Sequence, residues 1–194
     1  MSATHPFWRP ALAGGLAFGL AFLGHALVAA GLGWGLRQAG PGSLAWLVLV
    51  PPVVAELGKL LMLRLAGGVP AWPLLGTVFG LCDAALLLSQ PGPALATAAG
   101  TILLHGALGG LAAAVARRRG LAAGALLALL AHVLASLALI LATVALARHQ
   151  GIPPATAAGM AGLVLALLLA LAARSYSAAT AREAESPKAS ASSR

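Results

Sequence analysis

Charge is what this chain has least of. Only 8% of its 194 residues are Asp, Glu, Lys or Arg, against about a quarter in an ordinary soluble domain. No water-facing surface can be assembled from such a composition, so a soluble enzyme or carrier is excluded. Acids are the scarcest group. There are four, and Glu183 and Glu185 lie near the C-terminal end, which leaves Glu56 and Asp83 for the rest of the chain. A single cysteine, Cys82, permits no intrachain disulfide and reads as a small buried packing residue.

What the chain has in quantity is apolar sequence, 60% of all residues. The apolar runs exceed the ~20 residues that a helix needs to cross the hydrocarbon core. In lipid every backbone polar group must be satisfied internally, so Ala/Leu-rich runs of this length read as helices rather than barrel strands. The expected fold is all-α, a polytopic transmembrane bundle of about six spans. Gly, Pro and Arg punctuation places them at 11–36, 43–66, 72–89, 94–116, 121–147 and 155–173. The organisation is a short N-terminal segment, 1–10, one six-helix bundle, 11–174, and a polar tail, 175–194. The tail is short of large apolar residues and is expected to be disordered. A cleaved signal peptide has an apolar core of only about 7–15 residues, so the first run reads as a retained span.

The formal charge of +8 does not indicate a nucleic-acid partner, because the basic residues sit at helix ends and in the tail. With the N-terminus in the cytoplasm, the inner segments hold Arg9, Arg64, Arg117, Arg118, Arg119, Arg174, Arg182, Lys188 and Arg194. The outer loops hold only Arg37 and Arg148. Both termini are therefore expected inside. Gly15/Gly19, Gly76/Gly80, Gly106/Gly110 and Gly120/Gly124 are each four residues apart, a spacing that lets helix backbones approach closely.

The candidate functional residues are polar ones placed where lipid should be. Glu56, Asp83, His105 and His132 fall on four different spans, all within roughly 5 Å of the midplane at 1.5 Å rise per residue. Each ionisable group at that depth costs ~2.5–3.5 kcal/mol or more on insertion scales and by default marks function. Asp83 shares a face with Gly80 and Gly76. Thr101, His105 and Gly109 form a second stripe, and His132, Ser136 and Thr143 a third. Pro51-Pro52, just before Glu56, frees carbonyls that need partners or water. Lys59 either snorkels toward the interface or belongs to the site. His25 reads as a neutral interhelical hydrogen-bonding residue, and Ser136 either bonds its own helix or assists the site.

Four short motifs in order carry a family resemblance. Ala55-Glu56-Leu57-Gly58-Lys59 resembles the Glu-Glu-x-x-Lys motif of PrsW-type intramembrane proteases, with Ala55 for the first glutamate. Phe79-Gly80-Leu81-Cys82-Asp83 resembles their Phe-x-x-x-Glu motif, with Asp for Glu. His105 and the glycine-rich stretch after it resemble the third, and His132 to Ser136 the His-x-x-x-Asn motif, with Ser for Asn. The wider group includes the CAAX-processing and bacteriocin-processing proteases. The resemblance implies an intramembrane endopeptidase of the bacterial inner membrane, acting on a membrane-spanning or membrane-associated protein. Its catalytic residues would be Glu56, Asp83, His105 and His132, supported by Lys59, Phe79 and Ser136, with Glu56 as the base. Glu56, His105 and His132 also form a candidate set for one divalent metal such as zinc, while a metal-free oxyanion role for the histidines stays open. A non-catalytic protein of the same fold, or a proton, cation or small-solute transporter, would use the same polar residues.

Overall fold

The computed structural model describes the backbone of residues 7–31, 41–89 and 95–191, with side chains for 7–28, 44, 46–89 and 95–179. The described residues form six α-helices and no strand: α1 (Trp8–Gly31), α2 (Pro41–Ala66), α3 (Trp72–Leu88), α4 (Leu95–Arg119), α5 (Leu121–Gln150) and α6 (Pro154–Ala191). All six contain a stretch long and apolar enough to cross a membrane. The chain is an all-α integral membrane protein. The end of the first expected span and the breaks at Gly40 and at Pro91-Gly92-Pro93 lie outside the described residues.

The connections follow from glycine. A one-turn 3-10 segment, Val69–Ala71, joins α2 to α3 after Gly67 and Gly68, both at positive φ. Gly120 alone, at φ 88°, separates α4 from α5, a backbone conformation that costs other residues free energy. Consecutive helices from α2 to α3 and from α4 to α6 therefore turn back tightly on one another. α4 is the central helix and packs against α3, α5 and α6, while α2 meets α1, α3 and α5.

Burial inverts the soluble pattern. The buried apolar set is mostly alanine, whereas the large side chains exposed along the helices are mostly leucine. Lipid tails solvate Leu as well as a protein interior does, so the gain lies in close backbone packing through small residues. The α3/α4 contact shows this best. A methyl group on Gly76 would meet the His105 carbonyl oxygen, and one on Gly80 would sit 2.9 Å from the Ile102 Cα. Of the four expected glycine pairs, only this one puts both members into a close helix contact. Gly15, Gly19 and Gly110 face open space, and Gly120 serves the turn. An unexpected contact does similar work: a methyl on Gly58 would lie 2.7 Å from the Ala17 carbonyl oxygen, so α1 and α2 touch beside the motif residues.

α6 differs from expectation. Helix continues to Ala191, through the segment whose composition predicts disorder. That composition lacks packing residues, but Ala-rich sequence with Arg and Glu keeps a high intrinsic helix propensity and is nucleated by the span before it.

Candidate functional site

Four helices deliver one connected polar cluster. Glu56 and Lys59 lie one turn apart on α2, and Lys59 Nζ donates to Glu56 Oε1 at 2.5 Å. His132, from α5, donates through Nδ1 to the same oxygen at 2.8 Å. A carboxylate is acceptor-only, so Nδ1 carries a proton in this bond. His105, from α4, has Nδ1 3.5 Å from Lys59 Nζ. An ammonium only donates, so Nδ1 accepts and the ring proton sits on Nε2.

All four groups are buried: Lys59 is 0% exposed, His105 5%, Glu56 6% and His132 7%. Full burial excludes snorkelling for Lys59. Its charge is instead matched by Glu56, and its ammonium lies 5.3 Å from the centre of the Phe79 ring. That ring in turn meets His105 edge-on, with centroids 4.8 Å apart, and the two imidazoles stand 5.1 Å apart, nearly perpendicular. Phe79 thus contributes position rather than polarity. Asp83, from α3, sits at the rim. Its Oδ2 is 3.6 Å from His105 Nε2 and its side chain is 43% exposed, so a small movement or a water would link them.

Beside the cluster is a partly open cavity of about 370 Å³, within the range that takes small ligands. α1 supplies Phe18, Ala21, Phe22 and His25 to its wall, α2 supplies Pro51, and α3 supplies Phe79 and Asp83. Both His105 and His132 reach its lining. Glu56 does not. It borders a second, smaller cavity of about 140 Å³ with Leu57, Trp72 and Leu126. The carboxylate is therefore screened from the larger cavity by the imidazole it holds.

The remaining sequence candidates fall in distinct places. Ser136 lies one turn beyond His132, half-buried, with no hydrogen bond to the cluster among the described residues. His25 stacks edge-on against Trp46 and lines the larger cavity. Thr101 and Thr143 bond the carbonyls of Thr97 and Leu139, four residues back in their own helices, so the expected polar stripes converge only through their histidines. α2 runs unbroken through Pro51 and Pro52. Sequence reasoning missed the α1 wall, where Phe18 and Phe22 are ordinary apolar residues in an apolar run. Ala55, in the place of the family's first glutamate, is buried and packs near Ala17, Ala21 and Phe79.

Glu56, His105 and His132 each offer a ligand atom within 4.8 Å of the others, so the group could hold a metal ion. The donor types suit one. The ammonium of Lys59, however, already stands beside Glu56 Oε1 and His105 Nδ1. A dication there would bind through the other donor atoms of these residues or displace Lys59. As arranged, the cluster balances its charge without a metal. No protein-family model, no curated protein and no solved structure matches this chain, so the resemblance to intramembrane proteases rests on the four motifs alone.

Proposed function

We propose that the protein is an intramembrane endopeptidase, hydrolysing a peptide bond of a membrane-associated protein, with His132 rather than Glu56 as the proton acceptor. One observation carries this reading: His132 faces a ligand-sized cavity while its other ring nitrogen is held by a buried carboxylate. A base oriented by a third group is the arrangement that nucleophile activation requires. Water in the cavity gives a proton to His132 Nε2, and the oxygen adds to the scissile carbonyl carbon. Glu56 stabilises the resulting imidazolium and fixes its tautomer. His105 Nε2–H donates to the oxyanion, with the Lys59 ammonium behind its other nitrogen. On collapse the C–N bond breaks and His132 returns the proton to the leaving amine. No step passes through a metal, and Lys59 supplies the positive charge that a zinc ion would otherwise bring. Both termini lie in the cytoplasm in this reading, by the nine-to-two distribution of basic residues.

Transport has one observation in its favour, since Glu56 borders one cavity, its hydrogen-bonded partner His132 lines the other, and a buried acid between two spaces can relay a proton. Reconstitution in liposomes with a panel of single-span substrates and a trapped pH dye separates the readings. Proteolysis predicts cleaved substrate that persists with a divalent-metal chelator present. Proton flux without cleavage would replace it with transport, and loss of cleavage on chelation would restore the metal.

A further inference from the structure

The opposite side of α4 carries an apolar groove unrelated to the cluster. It has a volume of about 480 Å³ and lies between α4 and α6, with Leu103, Gly106 and Gly110 on one side and Leu167, Ala170 and Ala173 on the other. The two helices run parallel and in register. Thr97 Oγ1 bonds the Ala155 carbonyl near their N-terminal ends, and the Arg118 guanidinium covers the Tyr176 ring near the far end. The α6 lining runs from Leu163 to Ala173, a length of ~15 Å at 1.5 Å per residue. That is about one leaflet, half of a ~30 Å hydrocarbon core.

The groove ends at positive charge. Arg174 follows Ala173 directly, and Arg117, Arg118 and Arg119 follow Gly110 by seven to nine residues. All four are exposed, and α4 contains no acid. Arg118 is held toward α6 by its contact with Tyr176, which places guanidinium groups from both helices at the same end. A leaflet-long apolar slot capped by arginines matches one kind of molecule, an anionic phospholipid. The acyl chain fills the slot, and its phosphate takes charge-assisted hydrogen bonds from the guanidinium groups. We infer that the α4/α6 groove and the arginines at its end form a specific binding site for an anionic phospholipid. The site is independent of any reaction at the buried cluster.

Gly110 suits the test, because a Cβ added there meets nothing within 4 Å and a side chain built on it extends from the lining of the slot. The full chain, purified and delipidated in detergent, is titrated with dioleoyl phosphatidylglycerol or dioleoyl phosphatidylcholine, and bound lipid is read by native mass spectrometry. The wild type should retain phosphatidylglycerol roughly thirty-fold better, on the order expected for two guanidinium contacts. Gly110→Leu should lose this retention. Arg118→Gln with Arg174→Gln should bring the two lipids to equal retention, and inorganic phosphate should not compete with the whole lipid. Equal retention of the two lipids by the wild type would overturn the site. So would undiminished phosphatidylglycerol binding by Gly110→Leu, or a dimer that Gly110→Leu abolishes with no lipid preference.

Discussion

α4 presents two contrasting sides. Toward α6 it is joined mainly by small and apolar residues. Gly100 lies against Gly159 and Gly162, Leu104 and Leu108 pack with Ala166, and Thr97 Oγ1 donates to the Ala155 carbonyl. Toward α2 and α5 it delivers His105 into a cluster of two imidazoles, a carboxylate and an ammonium. Over most of its length the first side assembles without ionisable groups, Arg118 over Tyr176 at its far end being the exception. The second is therefore not explained by assembly. Replacing buried ion pairs with apolar residues is often neutral or stabilising, so such a cluster in an otherwise Ala/Leu bundle points to function.

The sharpest way to break that contrast is through activity. His132→Ala is expected to reduce hydrolysis of a single-span substrate by ~10³-fold, within the range for loss of a general base. Glu56→Gln keeps an acceptor for the Nδ1 proton but removes the charge that stabilises the imidazolium. Its expected loss is smaller, ~10²-fold, and the double variant should cost little more than His132→Ala, since the pair acts as a unit. An equal loss in both single variants would return the role of base to Glu56, and full activity in His132→Ala would remove the site altogether.

Next comes stability. Lys59→Met leaves Glu56 buried beside an uncharged side chain, and removing one partner of a buried pair costs ~3–5 kcal/mol. Lys59→Met combined with Glu56→Gln should regain most of that loss, because neither partner is then charged. Reversible unfolding in mixed micelles measures both. If the single and double variants are equally unstable, the pair is not coupled and Lys59 is structural filler.

The close α3/α4 contact is the third test. Gly76→Ala sets a methyl against the His105 carbonyl oxygen, and overpacking of this kind costs ~1–3 kcal/mol. It should also slow hydrolysis, because the displaced backbone carries His105. Gly15→Ala, with open space around it, should change neither quantity. Equal effects at the two positions would mean that helix propensity, not the contact, is being measured.

Much of this contrast was legible in the sequence. Six long apolar runs gave the spans, and equal depth for Glu56, Asp83, His105 and His132 identified the level at which they meet, because rise per residue is fixed in a helix. Rotation about the helix axis was less legible. Periodicity placed Thr101 and Thr143 on the stripes of the histidines, yet each satisfies its hydroxyl within its own helix. The fate of Lys59 depended on whether α4 covered it, which neighbours in sequence do not reveal. The wall formed by Phe18 and Phe22 had no signal, since a cavity needs only apolar residues on one face and α1 is apolar around both, with His25 its one polar residue on that wall.

The smallest effect concerns the far end of α6, where two truncations divide what the helix shares with the bundle from what it does not. Tyr176 lies under Arg118, within the part of α6 apolar enough to cross a membrane. Removing 180–194 takes away the polar segment that carries the end of α6. Helical residues there gain from propensity and from continuity with the span, and both terms act within the removed segment. The unfolding midpoint should shift by no more than ~0.5 kcal/mol in stability, as for changes away from packed features. Ending the chain at Ser175 instead also removes the ring beneath Arg118, and an exposed cation–π contact is worth ~0.5–1 kcal/mol. The longer truncation should therefore be the less stable of the two by about that amount, measured in the same micelles. A large loss already on removing 180–194 would show that the extension docks on the bundle, and the propensity account of its helix would fail.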